Sequence, residues 1–568
     1  MPNRKGIGSL FALLVILALI LISDARHQAW AAGQNHGKPV PTQKFLTDPQ
    51  GYSAAFWEAS LIAMDTWNKE LGTDFQRQVE EHDQLIRKMF EGNYDLGILF
   101  IMGSPVRLDP GFLFNTFFYA TCPGFYNRIP RDQCPGGGGA LNFPGYCNPE
   151  FNRLLKAQDQ VFDYEKRKKM TDRMVEMVVQ DRPVLVLFSP YMLHLMNTKR
   201  WKNELGMPGE GLGSAWNAMA IEPTGTDKVL RIGSTYAVPS INPMAVTRTQ
   251  GYRVMDLIYD KLFRVDLEGK AVKWMAKDAR IVDGINGPKT SVEIELRNDL
   301  KFHDGKPVTA DDVLFTIDFA KKFKAPDLYN YVKRVVKTEK TGKYSLTLHL
   351  DNPWSGVFHV LLAKMYILPA HIWSKVAQNE KEPILWPNPK PVGSGPFKFV
   401  SWDKGVQLVL DRNPNYFAKV NPSRLVRVKY ESMEMLAAAI ERGEIDIQWG
   451  EPMVAAIAER VARKPQVKAV KLPNHGFVMF TFKCAKAPYN DPAFMEALEY
   501  CLPRDLIMER VYPNIAEKAV SPIPPGNKAW HNPGDAKLAR PFDPKKAREV
   551  LKSAGYTWDD KGRLCYPK

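Results

Sequence analysis

Phe302-His303-Asp304-Gly305-Lys306-Pro307-Val308-Thr309-Ala310-Asp311-Asp312-Val313 packs a turn and a helix start into twelve residues. Asp304-Gly305 is turn chemistry: the aspartate folds back on the backbone and the glycine supplies a positive φ without steric penalty. Thr309 is a helix N-cap residue, with Asp312 three positions on where a capping box needs its acid. Asp311 and Asp312 also set negative charge on the positive end of the helix dipole. The helix is predicted to run from Thr309 to about Phe323.

On either side, residues 291–296 and 344–350 alternate apolar and polar, as half-buried strands do. Residues 229–232 begin another strand. Further helices are predicted over 433–442, closed by Gly443, and from Asp491-Pro492 through Tyr500. A last one opens at Asp543-Pro544 and ends at Gly555. Toward the N-terminus, Ser53 caps a helix reaching Leu71 and Gly72, and a shorter one covers 83–91. Residues 94–103 form a nearly unbroken apolar run, the mark of a buried parallel strand. Helices follow from Asn148-Pro149 and over 164–180, then a strand over 184–188. Strands and helices alternate throughout, which predicts α/β layers with partly parallel sheets. Residues 202–227, rich in Gly and Pro, read as a connector.

A chain of 568 residues exceeds one compact core. Arg4 and Lys5, an apolar run over 9–22 and Ala29-Trp30-Ala31 have the layout of a cleaved signal peptide, residues 1–31. Export without an anchor predicts a periplasmic protein. The net charge is +15, or +13 without residues 1–31, which carry three bases and one acid. Because the bases are spread among acids, a solvated basic surface is expected, not a nucleic-acid partner. Six cysteines in an oxidising compartment predict at least one disulfide among Cys122, Cys134 and Cys147. Their spacing is not that of a zinc site. The four glycines at 136–139 lack the Lys-Ser/Thr of a phosphate loop.

The 302–313 stretch resembles the signature of the family 5 extracellular solute-binding proteins, the oligopeptide-, dipeptide- and nickel-type receptors of ABC importers. Leu368-Pro369-Ala370-His371-Ile372 and Gly393-Ser394-Gly395-Pro396-Phe397 are similar to family motifs in family order. So are Arg412-Asn413-Pro414-Asn415-Tyr416 and Gly443-Glu444-Ile445-Asp446. The segment from Phe482 to Asp505 and that from Ala547 to Tyr556 continue the order. What the family places next resembles residues 43–195: Leu71-Gly72, Asn93-Tyr94-Asp95, Asp109-Pro110 and Asn148-Pro149-Glu150-Phe151. No motif occurs twice.

The resemblance implies an α/β, two-lobed, periplasmic-binding-protein-like fold (class II) with an extra subdomain, circularly permuted. One lobe would be 32–188 plus 486–568, the second 189–270 plus 391–485, and the extra subdomain 271–390. It implies a receptor that captures a peptide or other small polar solute between its lobes and hands it to an ABC importer permease. The receptor would act as a monomer, without catalysis, cofactor or metal. A sensing or scaffold role without transport and a secreted hydrolase are the alternatives. No Gly-x-Ser-x-Gly, His-Glu-x-x-His or Gly-x-Gly-x-x-Gly supports an enzyme, and the His303 and Asp304 of the signature are read as structural.

By position near strand ends, candidate ligand-binding residues are Tyr236, Trp449, Phe477, Tyr191 and His82, whose rings could stack on a solute. Peptide receptors of the family carry a carboxylate for the peptide amine after the strand that lies here near residues 95–102. Residues 100–108, Phe-Ile-Met-Gly-Ser-Pro-Val-Arg-Leu, have none. Arg107 is the one charge there, a candidate for an anionic ligand.

Overall fold

The computed structural model describes residues 37–50, 53–120, 141–450 and 452–568. The signal-peptide segment, Cys122, Cys134 and the four-glycine run lie outside the described residues. The chain divides into two units. One comprises residues up to 98 with 481–507 and 539–568. The other comprises 99–480 and 508–538.

In the first unit, strand Gln43–Thr47 pairs in parallel with Phe75–Val79 and with the start of Leu96–Ile101. Helix Ala54–Leu71 begins where the Ser53 hydroxyl accepts from the Phe56 N–H at 3.2 Å, and it stops at Gly72, whose φ is +72°. Its buried Trp67 donates from the indole to Leu498 O at 2.9 Å, tying it to helix Pro492–Tyr500. Helix Pro544–Ser553 packs beside Ala54–Leu71, and Arg548 Nε donates to Glu70 O at 2.6 Å. The Trp558 indole donates to Leu71 O at 2.7 Å. Backbone pairing closes the edge: Val40 N–H to Leu564 O at 2.8 Å, and Tyr566 N–H to Lys38 O at 3.0 Å. Residues from opposite extremities of the sequence thus build one unit.

The second unit holds a seven-stranded mixed sheet. Its order is Phe397–Asp403, Gln407–Arg412, Arg424–Lys429, Val229–Ser234, Ile447–Gln448, Met192–Asn197, Val467–Leu472. Arg424–Lys429 and Val229–Ser234 run parallel, with Arg427 opposite Ile232. A separate four-stranded antiparallel sheet is formed by Ala276–Gly284, Gly287–Leu296, Ser345–Leu350 and Val335–Lys340. Its apolar face shares a core with helix Ala310–Lys322 and residues up to Val376.

The 302–313 signature does structural work here. Asp312 accepts from the Thr309 N–H at 2.9 Å and, through its other oxygen, from the Ala370 N–H at 3.0 Å. His303 accepts from the Gly393 N–H at Nδ1 (3.2 Å) and faces Gly395 O at Nε2 (3.0 Å), so the neutral ring carries its proton on Nε2. Burial agrees, pushing the His303 pKa down to about 4.

The 202–227 stretch departs from the connector expectation. It contains helix Ala215–Ala220, and Trp201–Lys202 pairs with Glu222–Pro223. Its glycines serve close approach. Gly211, at φ +62°, lies on the His194 ring, where an added Cβ would fall 2.2 Å from Cε1. The segment therefore lines the interior of the second unit, with Met207, Glu210 and Leu212 buried.

Candidate functional site

Helix Thr249–Ile258 is apolar on most sides, and its buried residues include Val254, Met255, Leu257 and Ile258. Arg253 and Asp256, three positions apart, put charge on one stripe of it. Arg253 is 4% exposed. Its Nε donates to Glu210 Oε2 at 2.6 Å. That contact is made on one edge of the guanidinium, and Nη2 is buried with no acceptor among the described residues. Arg253 and Glu210 line a cavity of about 70 Å³ with Ser104, Trp216, Tyr252 and Lys364. More buried charge surrounds it. Lys261 meets Asp256 at 2.7 Å and Lys364 meets Asp327 at 2.6 Å. The Lys364 ammonium also lies 5.0 Å from the Tyr252 ring centre. Burial raises the Glu210 pKa against the pull of Arg253, and it opposes the cations that hold Asp256 low.

Arg427, on strand Arg424–Lys429, is another buried cation of the second unit. It is 6% exposed. Its Nη2 donates to Ser234 Oγ at 2.9 Å and to the Tyr236 carbonyl, and no carboxylate pairs with it among the described residues. Burial, together with the positive charge of Arg253, depresses its pKa to about 10. Gly450, at φ +118°, sits against the same corner, since an added Cβ would be 3.4 Å from Ser234 Oγ and 3.5 Å from Tyr236 Cδ2. The cavity beside Arg253, with its buried charges, is a polar interior suited to holding a solute.

A second, larger cavity of about 1080 Å³ lies in the same unit, lined by Phe162, Tyr164, Arg167, Phe263, Phe358 and Trp530 among others. Asp109 and Arg167 pair there through two bonds, at 2.8 and 2.9 Å.

Of the six candidates from sequence, Tyr236 and Trp449 fall in one neighbourhood. Trp449 N–H donates to Gly233 O at 2.8 Å, one residue from Ser234. Trp449 is buried, and its indole N–H has no acceptor among the described residues. Tyr236 is 39% exposed. Phe477 is buried at the start of strand Phe477–Phe482. The Tyr191 ring stacks under Lys471 Nζ at 4.1 Å, and burial together with Glu517 pushes its pKa up to about 12. The Arg107 guanidinium donates from Nη1 to Met102 O and lies 5.6 Å from the Phe117 ring centre. His82 belongs to the first unit, where Nδ1 lies 3.0 Å from Asp48 Oδ1 and this contact raises its pKa. None of the six lines either cavity. Arg253, Glu210 and Arg427 escape the sequence reading. A charge stripe on an otherwise apolar helix is the signal that points to Arg253.

Among the described residues no group of three or more His, Cys, Asp or Glu is placed to hold a metal, and no helix is long and apolar enough to cross a membrane. The fold is α/β, and its charged interior is of the kind that binds. The chain belongs to the bacterial extracellular solute-binding proteins, family 5, whose middle-region model matches residues 270–566. It is 28% identical over 340 residues to the oligopeptide-binding protein AppA of Bacillus subtilis (strain 168), covering 58% of this chain and 60% of that protein. It is 26% identical over 342 residues to the glutathione-binding protein GsiB of Pectobacterium atrosepticum, covering 58% and 61%. The chain thus spans about 60% of the length of these curated relatives. Among solved structures, NikZ of Campylobacter jejuni in complex with Ni(L-His) is 22% identical with a TM-score of 0.46, covering 60% and 66%.

Proposed function

We propose that this protein is an exported solute-binding receptor that captures a peptide or similar small polar solute and delivers it, unaltered, to an ABC importer. Family membership together with the polar cavity that Arg253 lines carries the reading. The names of AppA and GsiB favour peptides and peptide-like solutes. The absence of an amine-binding carboxylate in residues 100–108 favours a solute other than an ordinary free peptide. Tyr236, whose carbonyl accepts from Arg427, and Trp449, bonded to Gly233 O, are the aromatic candidates that share a neighbourhood. Phe477, Tyr191, His82 and Arg107 remain candidates by position. On this reading residues 1–31 direct export, the mature protein works as a monomer in the periplasm, and the lobes are those drawn from the motif order.

The same reading includes circular permutation. The family match ends at residue 566, while the motifs that follow in family order stand at 43–195. Packing of helix Pro544–Ser553 on Ala54–Leu71, and pairing of residues 38–40 with 564–566, support it. A permuted chain also accounts for local matches that cover only part of each relative.

The test is native mass spectrometry of the protein purified from its own periplasm. One small molecule is expected, bound without covalent change and released on unfolding. An empty protein, or one that returns a chemically altered molecule, overturns the receptor reading.

A further inference from the structure

We infer that the solute carries an aromatic ring, seated in the cavity of about 1080 Å³ among two pairs of rings, Tyr164 with Trp530 and Phe263 with Phe358; this rests on the receptor reading. Size selects this cavity for the body of the solute. The space beside Arg253 is about 70 Å³, enough for a few waters. A cavity of roughly 150 Å³ holds one benzene, and pockets for small organic ligands run to about 1000 Å³. The whole lining of the larger cavity belongs to the second unit.

The lining decides the chemistry. Phe162, Tyr164, Phe263, Phe358 and Trp530 bring phenyl, phenol and indole rings to it. The Tyr164 and Trp530 ring centres are 5.2 Å apart, and those of Phe263 and Phe358 are 5.0 Å apart. The aliphatic lining residues are small: Ala271, Val272, Ala279 and Ala529. Phe162, Phe358 and Trp530 are half-buried, and Tyr164 is 48% exposed. Ring surface left open in a cavity marks a place for an apolar group, and ring faces and edges take another ring by offset or edge contact. The polar lining, by contrast, is committed. Arg167 gives both Nη atoms to Asp109, at 2.8 and 2.9 Å, and its Nε to Gln158 at 2.6 Å. Its guanidinium also lies 4.9 Å from the Trp530 ring centre. His359 Nε2 lies 2.8 Å from Pro105 O, and the Tyr164 hydroxyl donates to Ala529 O. Lys270 and Lys273 pair with Glu268 and Asp278, at 2.9 and 3.0 Å. A sugar also lies flat on rings, but its hydroxyls would meet polar groups that already have partners.

N-acetyl-L-tryptophanamide serves as the probe, a neutral ring compound with no free amine or carboxylate, and methyl α-glucoside is its counterpart. Binding of each to the full mature chain is titrated by saturation-transfer NMR. Wild type, Trp530→Leu and Phe358→Leu are compared. Leucine keeps apolar bulk and removes the ring, and thermal unfolding checks that each variant is folded. The two positions stand on separate segments, so one variant keeps the test open should the other fail to fold. The indole probe is expected to bind wild type and to lose about tenfold in affinity in each variant, the scale of a lost ring–ring contact. The glucoside is expected to give no transfer. Equal probe affinity in all three proteins, no probe binding, or tighter binding of the glucoside overturns the inference. Native mass spectrometry and the ultraviolet spectrum of whatever the wild-type protein releases on unfolding separate the two readings. A released molecule without an aromatic ring sinks the ring inference and leaves the receptor standing. An empty protein that binds the probe through Trp530 and Phe358 sinks the receptor reading and keeps the ring site. No released molecule and no probe binding sinks both.

Discussion

A methyl group at Gly72 would lie 2.1 Å from the Gly562 carbonyl oxygen, at a backbone φ of +72°. Gly72→Ala therefore strains the helix end and pushes away the 559–563 turn at once. It is expected to destabilise by roughly 1–3 kcal/mol, the range for a left-handed non-glycine residue in a fixed setting. Urea unfolding checks this; an unchanged midpoint would refute the close packing of these two turns. Asp446 makes a prediction of another kind. It is fully buried, accepts from the Arg231 N–H at 2.7 Å and lies 3.3 Å from Arg200 Nε. Burial nevertheless raises its pKa to about 7, with Arg200 pulling the other way. A carboxyl whose folded pKa lies above its unfolded value binds a proton more tightly when folded. Its contribution to stability is fully present below about pH 4 and is lost as pH rises through about 7. Wild type should thus gain stability relative to Asp446→Asn as pH is lowered from 8 to 4, measured by thermal unfolding of both. Parallel pH profiles would place the ion pair with Arg200 above burial in effect.

Helix starts were the most legible elements, because a cap is a local event. Ser53, Asn148, Asp491 and Asp543 all accept from N–H groups of the helices they open. Asp312 adds a bond that the local pattern does not contain. Beyond Thr309 it accepts from Ala370, holding the segment that follows Pro369. Asp312→Ala should therefore destabilise by about 2–3 kcal/mol, against about 1 kcal/mol for Thr309→Ala, whose loss is a cap alone. Equal losses in a denaturant series would reduce Asp312 to an ordinary capping residue. Less legible were the elements whose meaning is non-local. Residues 202–227 read as a connector because Gly and Pro usually mark exposed turns, whereas here Gly209 and Gly211 let the chain lie against His475 and His194. Arg253 hid for the same reason. Its neighbours in sequence are apolar, and its partner Glu210 is 43 positions away. The aromatic candidates Tyr236 and Trp449, chosen at strand ends, share a neighbourhood, but the charge beside Tyr236 comes from Arg427, 191 positions away in sequence.

At the scale of the molecule, the order of motifs is the property most open to direct construction. Gly37 N–H meets Pro567 O at 3.3 Å, and a Cβ on Gly37 would touch Lys568 Cγ at 3.5 Å. A linker of a few residues between Lys568 and Gly37 therefore has almost no distance to span. Gly225, in the second unit, is an open point, with nothing within 4 Å of an added Cβ. Opening the chain after it keeps the Trp201–Pro223 pairing on one side and the Arg200–Asp227 pair within reach of the other. Termini that are near one another at a surface can be joined and reopened with the packed elements unchanged. The recircularised chain, running from 226 to 568, through the linker, and from 37 to 225, should fold cooperatively. Its melting temperature should lie within a few degrees of the natural order, and it should retain the same co-purifying molecule by native mass spectrometry. The helix Pro544–Ser553 would then precede Ala54–Leu71 in sequence as it already adjoins it in space, the order that the proposed permutation implies. A recircularised chain that is unfolded or aggregated, while an equal linker added after Lys568 is harmless, would mean that the present order is required for folding and that the motifs are not one rearranged copy.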